Sequence, residues 1–95
     1  MPVRYRILTT PPFDRDAKRA AKKYNDVRSV IERAIFILES DPYNLTREHN
    51  IKKLEGIKKG DGVYRLRIHN FRIRYDTIGN DIVLYSFRDR KEAYR

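Results

Sequence analysis

The sequence predicts an α+β fold, in which one strand, a helical hairpin and a three-strand antiparallel meander follow each other in the order β-α-α-β-β-β. Two periodicities carry this prediction: apolar residues recur at helical spacing between positions 13 and 38, and they alternate with charged residues in positions 3–9 and 64–75. A chain of 95 residues holds one modest core. We therefore expect a single domain over residues 1–95, with the helices packed on one sheet face.

The first predicted strand spans residues 3–9, where Val3, Tyr5 and Ile7 alternate with arginines. Thr10-Pro11-Pro12 ends it, because proline lacks an N–H for strand pairing and its φ suits the first turn of a helix. The apolar face predicted for that helix consists of Phe13, Ala17, Ala20, Ala21 and Tyr24.

A second helix is predicted after Asn25-Asp26, which offers a stop and a new N-cap. Its apolar stripe consists of Val27, Val30, Ile31, Ala34, Ile35 and Leu38. Asp41-Pro42 ends it, because proline disfavours helix in the preceding residue. We expect residues 43–50 to form a loop.

Two arginine-rich strands follow from position 64. Tyr64-Arg65-Leu66-Arg67-Ile68 and Phe71-Arg72-Ile73-Arg74-Tyr75 both alternate, and His69-Asn70 supplies a tight turn, where asparagine tolerates the positive φ that such turns need. A third strand spans residues 82–87. If the apolar residues face the helices, four arginines share the opposite face: Arg65, Arg67, Arg72 and Arg74.

The net charge is +9, with +6 in residues 51–95 against +3 in residues 1–50. Such a charge attracts polyanions and acidic proteins alike, and a solvated sheet face is the alternative interpretation of the arginines. The chain has no cysteine, which excludes disulfides and thiolate metal sites. Without an apolar stretch of signal or membrane length, we expect a cytoplasmic protein that does not contact membranes.

Other titratable residues give weaker signals. His49 and His69 fall in a predicted loop and turn, so paired histidine catalysis is not favoured. Asp14 with Asp16, and Asp76 with Asp81, lack a third ligand and are interpreted as solvated or turn carboxylates. No metal and no cofactor are predicted.

The ordered set of motifs resembles the RelE/ParE superfamily of toxins from type II toxin–antitoxin systems. Lys52-Lys53-Leu54-Glu55-Gly56 resembles the family's lead-in to its sheet, and the two arginine-rich strands resemble its paired strands. Arg90-Lys91-Glu92-Ala93-Tyr94 resembles the arginine and tyrosine of its C-terminal ending. The resemblance covers essentially the whole chain.

This resemblance implies a ribonuclease site without metal. The implied catalytic residues are Arg65, Arg67, Arg72, Arg90 and Tyr94, and the implied phosphate-binding residues are Lys52, Lys53, Arg74 and Arg88. Arg65 and Arg67 stand where the family contacts the scissile phosphate, and Arg72 matches its transition-state-stabilising arginine. Arg90 is favoured over Arg88 for the acid-like arginine.

The implied function is a ribosome-dependent mRNA endonuclease that inhibits translation, with ribosome and mRNA as partners. Alternatives are a gyrase inhibitor of the ParE type and an inactive relative. The implied protein partner is a cognate antitoxin, and specific DNA binding by this chain itself is not expected. The cations of the first helix are interpreted as solvated, with docking on ribosomal RNA as the functional alternative.

Overall fold

A computed structural model describes residues 4–90. Its elements are β1 (Arg6–Thr9), α1 (Pro11–Lys23), α2 (Val27–Ser40), β2 (Ile51–Lys53), β3 (Tyr64–Ile68), β4 (Phe71–Ile78) and β5 (Asp81–Asp89). The predicted α+β class and element order are confirmed. Val3 lies outside the described residues, and β2 is an additional short strand that the sequence did not predict.

The five strands form one mixed sheet in the order β1-β5-β4-β3-β2. From β2 to β5 each strand pairs antiparallel with the next, so β2 extends the predicted meander by one strand. β1 pairs in parallel with β5, from Arg6 opposite Asp81 to Thr9 opposite Leu84. The helical hairpin therefore lies in the long connection that a parallel pair requires.

Thr10 joins β1 to α1 and fixes both. Its Oγ1 accepts a hydrogen bond from the N–H of Phe13 at 3.4 Å and donates one to the carbonyl of Leu84 at 2.9 Å. Pro11 and Pro12 occupy the first helical positions, where no intrahelical N–H bond is lost. The start of α1 is thus held against β5, and the helix begins at the Thr-Pro-Pro motif as predicted.

Both helices pack on one face of the sheet, as predicted. α1 contacts mainly β5, and α2 contacts β1 and β3. Asp26 is the N-cap of α2, although its side chain makes no capping hydrogen bond. The buried core consists of Phe13, Val27, Val30, Ala34, Ile37, Leu38, Leu66, Phe71, Ile73, Tyr75, Ile82, Leu84 and Phe87.

The predicted turn between β3 and β4 is present at His69-Asn70. The left-handed residue is His69, with φ of 52°, and not the asparagine that we expected. Histidine is among the non-glycine residues that tolerate this region. Neither helix among residues 4–90 is both long and apolar enough to cross a membrane.

Candidate functional site

Cationic side chains form two rows on the sheet face opposite the helices. The first row crosses the sheet through Lys52, Arg65 and Arg74 and ends at the neutral Ser86. The second row consists of Arg67, Arg72 and Arg88. Their chain neighbours Leu66, Ile73 and Phe87 are buried in the core. Since side chains alternate along a strand, the cations must point the other way. We call this set the basic face: Lys52, Arg65, Arg67, Arg72, Arg74 and Arg88.

Arg72 lies at the centre of the basic face and is only 5% exposed. It sits opposite Arg67 on one side and opposite Arg88 on the other. Like charges directly opposite each other on neighbouring strands are destabilising. The arrangement concentrates positive charge at the centre of the face, and such charge attracts anions.

A cavity of about 370 Å³ opens on the basic face. Its lining residues are Leu54, Asp61, Arg65, Arg72, Arg74, Tyr85, Ser86 and Arg88. The buried Nε of Arg65 has no hydrogen-bond partner among the described residues. Guanidinium groups bind phosphates through paired N–H donors, so the cavity suits a phosphate-bearing ligand.

Arg74 supports the wall of this cavity. Its Nε and Nη2 both donate to the carbonyl oxygen of Gly62, at 3.1 and 2.9 Å. A Cβ at position 62 would lie only 2.9 Å from the Cβ of Arg74, and φ of Gly62 is 85°. Both the close approach and the positive φ therefore require glycine at this position. Arg74 therefore holds the segment between β2 and β3 in place.

Asp76 anchors the same segment, contrary to its interpretation as a solvated or turn carboxylate. It is 1% exposed, and its two carboxylate oxygens accept hydrogen bonds from the N–H groups of Gly60 and Val63. A buried carboxylate is tolerated when donors satisfy it, as here. Asp81, in contrast, forms an ion pair with Arg6 at the surface.

Asp16 is also buried, so its interpretation as a solvated carboxylate was wrong. The pairing of β1 with β5 ends at Leu84, so β1 offers no carbonyl to the N–H of Phe87. That N–H instead donates a hydrogen bond to the carboxylate of Asp16 at 3.1 Å. The same Oδ2 lies 3.7 Å from Nε of Arg88. Asp16 thus connects α1 to the arginine at the edge of the basic face.

Two of the predicted site residues that the structure describes, Arg90 and Lys53, are not part of this face. Arg90 lines a separate cleft with Tyr24 and Asp89. Lys53 pairs with Tyr64, so alternation puts it on the helix side of the sheet. Tyr94 lies outside the described residues. Between the two candidates for one role, the structure brings Arg88 and not Arg90 beside Arg72.

Tyr85 is a cavity residue that the sequence analysis missed. The register shifts between Arg74 and Tyr75: Arg74 lies opposite Ser86, whereas Tyr75 lies opposite Leu84. Tyr85 is therefore the extra residue of a β-bulge and lines the cavity together with Ser86. The signal in the sequence was the spacing of three between Leu84 and Phe87, which breaks strict alternation.

The two histidines are in different surroundings. His69 occupies the β3–β4 turn, and Nε2 of His49 lies 3.8 Å from the carboxylate of Asp41. The described residues contain no group of three or more His, Asp and Glu side chains placed to hold a metal ion.

The family model of the ParE toxin of type II toxin–antitoxin systems, parDE, matches residues 7–94. The chain belongs to this toxin family. The RelE/ParE resemblance of the sequence is thereby confirmed, and the matched segment contains the whole basic face of this toxin. A comparison with curated protein sequences finds no significant match.

Two solved structures have similar folds. One is a chain of the RelB–RelE antitoxin–toxin complex from Methanococcus jannaschii, which is 25% identical with a TM-score of 0.69 and covers 92% of this toxin and 94% of that chain. The other is a chain of the RelBE2 toxin–antitoxin complex from Mycobacterium tuberculosis, which is 21% identical with a TM-score of 0.68 and covers 93% and 100%. This toxin therefore has a RelE-like fold across nearly its full length.

Proposed function

We propose that this toxin is a ribosome-dependent mRNA endonuclease. The observation that carries the proposal is the buried Arg72, flanked across the strands by Arg67 and Arg88 and opening on a cavity of about 370 Å³. Positive groups that are already fixed in a partly enclosed site stabilise the negative charge of a transition state, because they do not have to move when the reaction occurs. The likeness to the toxin of an antitoxin–toxin complex named RelB–RelE supports the same function.

The reaction that this site suits is attack of an RNA 2′-OH on its own adjacent phosphate. The new bond joins the 2′-oxygen to phosphorus, the bond from phosphorus to the 5′-oxygen breaks, and the products end in a 2′,3′-cyclic phosphate and a 5′-OH. One proton leaves the 2′-OH for a basic group of the site, and solvent water supplies one to the departing 5′-oxygen. The arginines supply charge stabilisation, because a guanidinium group does not give up its proton in proteins and is a poor proton donor.

Within this proposal Arg72 stabilises the phosphorane, and Arg65 and Arg67 contact the scissile phosphate. Arg88, which lies opposite Arg72, is proposed as the counterpart of the family's acid-like arginine, for which the sequence had favoured Arg90. Tyr94, implied by the resemblance, is proposed as the residue that accepts the 2′-OH proton. Lys52 lies opposite Arg65 at the sheet edge and is proposed to bind a neighbouring phosphate.

A cognate antitoxin is the proposed protein partner. Both similar structures are complexes of a toxin with an antitoxin, and this chain carries a net charge of +9. An acidic antitoxin segment lying over the basic face would relieve the repulsion among its arginines and block RNA. The basic face is thus proposed to serve both partners in turn.

Inhibition of DNA gyrase is the second candidate function, and the match to the ParE family model favours it. An inhibitor of this kind binds gyrase and has no need of an RNA-cleaving site. It also gives no reason for a buried arginine between two others in a cavity. We therefore rank it second.

One preparation of the toxin, freed from its antitoxin, tests both functions. RNA ends are mapped after the toxin is added to a translating extract, and the same preparation is added to a gyrase supercoiling reaction. We expect cuts in translated mRNA at a fixed position within codons, with cyclic phosphate ends, and no effect on supercoiling. Intact mRNA together with inhibited supercoiling would reject the nuclease in favour of the second candidate.

A further inference from the structure

Tyr85 has an unusual position in the sheet. As the extra residue of the bulge in β5 it lies beside Ser86, is half-buried, and lines the cavity of the basic face. Leu54, which follows β2, lines the same cavity. An aromatic and an aliphatic residue therefore border a space that is otherwise lined largely by arginines.

The hydroxyl of Tyr85 has a structural partner. Burial, the charge of Asp76, a hydrogen bond to Asp76 and the charge of Asp61 all raise the pKa of Tyr85 above its ordinary value. The phenol therefore stays protonated at neutral pH and cannot accept a proton from a substrate. Its ring is the part that a ligand in the cavity can use.

We propose that Tyr85 and Leu54 form a subsite that binds one nucleobase of single-stranded RNA by stacking, next to the arginines that hold its phosphate. Arginines with an aromatic ring beside them are the combination that single-stranded nucleic acid binding requires. A base inside a duplex already stacks on its neighbours and cannot occupy such a slot. This inference rests on the proposed function and specifies how its site holds the substrate.

The cavity has a size that fits this role. Its volume of about 370 Å³ lies within the roughly 300–1,000 Å³ of typical small-ligand sites. Arg65 and Arg72 line it from the neighbouring strands, so a phosphate held by them and a base on Tyr85 belong to the same or adjacent nucleotides. Asp61 also lines the cavity and disfavours a second phosphate at that end.

A purely structural role for Tyr85 predicts different behaviour. In that case Tyr85 would contribute to stability through its hydrogen bond to Asp76. Tyr85→Phe removes that bond, and no RNA base would influence it. In the subsite, the ring matters and the hydroxyl does not. Tyr85→Phe and Tyr85→Leu therefore separate the two roles, since only the second removes the aromatic ring.

The experiment measures binding of short 2′-O-methyl RNA oligonucleotides, which the proposed reaction cannot cleave. One base at a time is replaced by an abasic nucleotide, and each oligonucleotide is titrated against the unsubstituted toxin, Tyr85→Phe, Tyr85→Leu and Leu54→Ala. Stacking of one base contributes about 1–3 kcal/mol, so we expect Tyr85→Leu to weaken binding about 5- to 150-fold and Tyr85→Phe to bind nearly normally.

The decisive result is energetic coupling in RNA binding between Tyr85 or Leu54 and a single base of the oligonucleotide. An abasic nucleotide at one position should weaken binding by the unsubstituted toxin but have little further effect on Tyr85→Leu or Leu54→Ala. Equal binding by Tyr85→Leu, additive losses at every position, or no binding of the oligonucleotide by the unsubstituted toxin would each overturn the subsite. If Tyr85→Leu fails to fold, Leu54→Ala and the abasic scan of the unsubstituted toxin decide in the same way.

The outcome is separable from that of the proposed function. Coupling of Tyr85 to one base, in a toxin that leaves translated mRNA intact, would uphold the subsite and reject the nuclease. Cleavage of mRNA by a toxin whose Tyr85→Leu variant cuts at the same codons and rate, and binds without coupling, would uphold the nuclease and reject the subsite.

Discussion

The two faces of the sheet are built from the same strands but have opposite physical character. On the helix side, Leu66, Ile73 and Phe87 are almost completely buried among apolar neighbours. On the other side, the residues between them in the chain are arginines set opposite one another. The first face supplies the free energy of folding, and part of that free energy is used to hold repelling charges together on the second. From this difference we propose that the basic face serves a ligand, with Arg74 as the member that also supports the structure.

The strongest test of this division compares adjacent residues of β5. Phe87→Ala should lower the free energy of unfolding by about 3–5 kcal/mol, because it empties a core position stacked on Phe71. Arg88→Ala should change it by less than about 1 kcal/mol, since it removes both a contact with Asp16 and a repulsion from Arg72. Urea unfolding measures both variants. Equal losses would contradict the assignment of stability to one face.

Asp16 lies between the two faces, and Asp16→Ala should have the next largest effect. It leaves the N–H of Phe87 without its acceptor, which costs about 1–3 kcal/mol. Asp14→Ala is the matched control, because Asp14 is exposed in the same first turns of α1 and should contribute less than about 1 kcal/mol. Equal urea midpoints for the two variants would show that Asp16 does not fasten α1 to β5.

A comparison of Arg88 with Arg90 tests which C-terminal arginine belongs to the RNA-cleaving site. Arg88 lines the cavity and is partly exposed, so Arg88→Ala should slow mRNA cleavage roughly 10-fold, less than the loss of a fully enclosed charge. Arg90 lines the other cleft, and Arg90→Ala should leave the rate nearly unchanged. Cleavage rates on programmed ribosomes compare the two. A larger loss at Arg90 would restore the role that the sequence favoured.

The smallest expected effect concerns Asp41, the C-cap residue of α2, which is not part of the basic face. Burial acts to raise its pKa, but hydrogen bonds from Thr46 and from the N–H of Leu45 prevail, and the pKa lies below its ordinary value of 3.8. Its stabilisation is therefore complete above the unfolded-chain pKa and is lost as the pH falls through the lower folded-state pKa. Unfolding free energies measured from pH 7 to pH 2 should fall less steeply in Asp41→Asn than in the unsubstituted toxin. Parallel curves would contradict this.

Much of the fold could be predicted because its signals are local. Thr10-Pro11-Pro12 specifies the start of α1 through the backbone properties of proline, and His69-Asn70 specifies a hairpin turn between two alternating strands. Alternation on both sides of that turn was enough to group Arg65 with Arg72. These features depend on neighbours in the chain and so can be recognised without tertiary contacts.

The features that were missed depend on distant partners. β2 is a strand only because it pairs with β3, and Asp16 is buried only because β1 ends before Phe87 and leaves an N–H to be satisfied. The choice between Arg88 and Arg90 depends on the register of β5 after its bulge. Tyr85 reaches the cavity through that bulge. Alternation read along one strand cannot give the register against its neighbour.

The central claim is that the basic face cleaves RNA, and Arg72 tests it most directly. Single-turnover cleavage of mRNA on programmed ribosomes is measured for the unsubstituted toxin, Arg72→Ala and Arg33→Ala, an exposed arginine of α2 that serves as the charge-matched control. We predict that Arg72→Ala, shown to be folded by urea unfolding, loses about 100- to 1,000-fold in rate, whereas Arg33→Ala cleaves normally and yields cyclic phosphate ends. A folded Arg72→Ala that cleaves as fast as Arg33→Ala would contradict the claim.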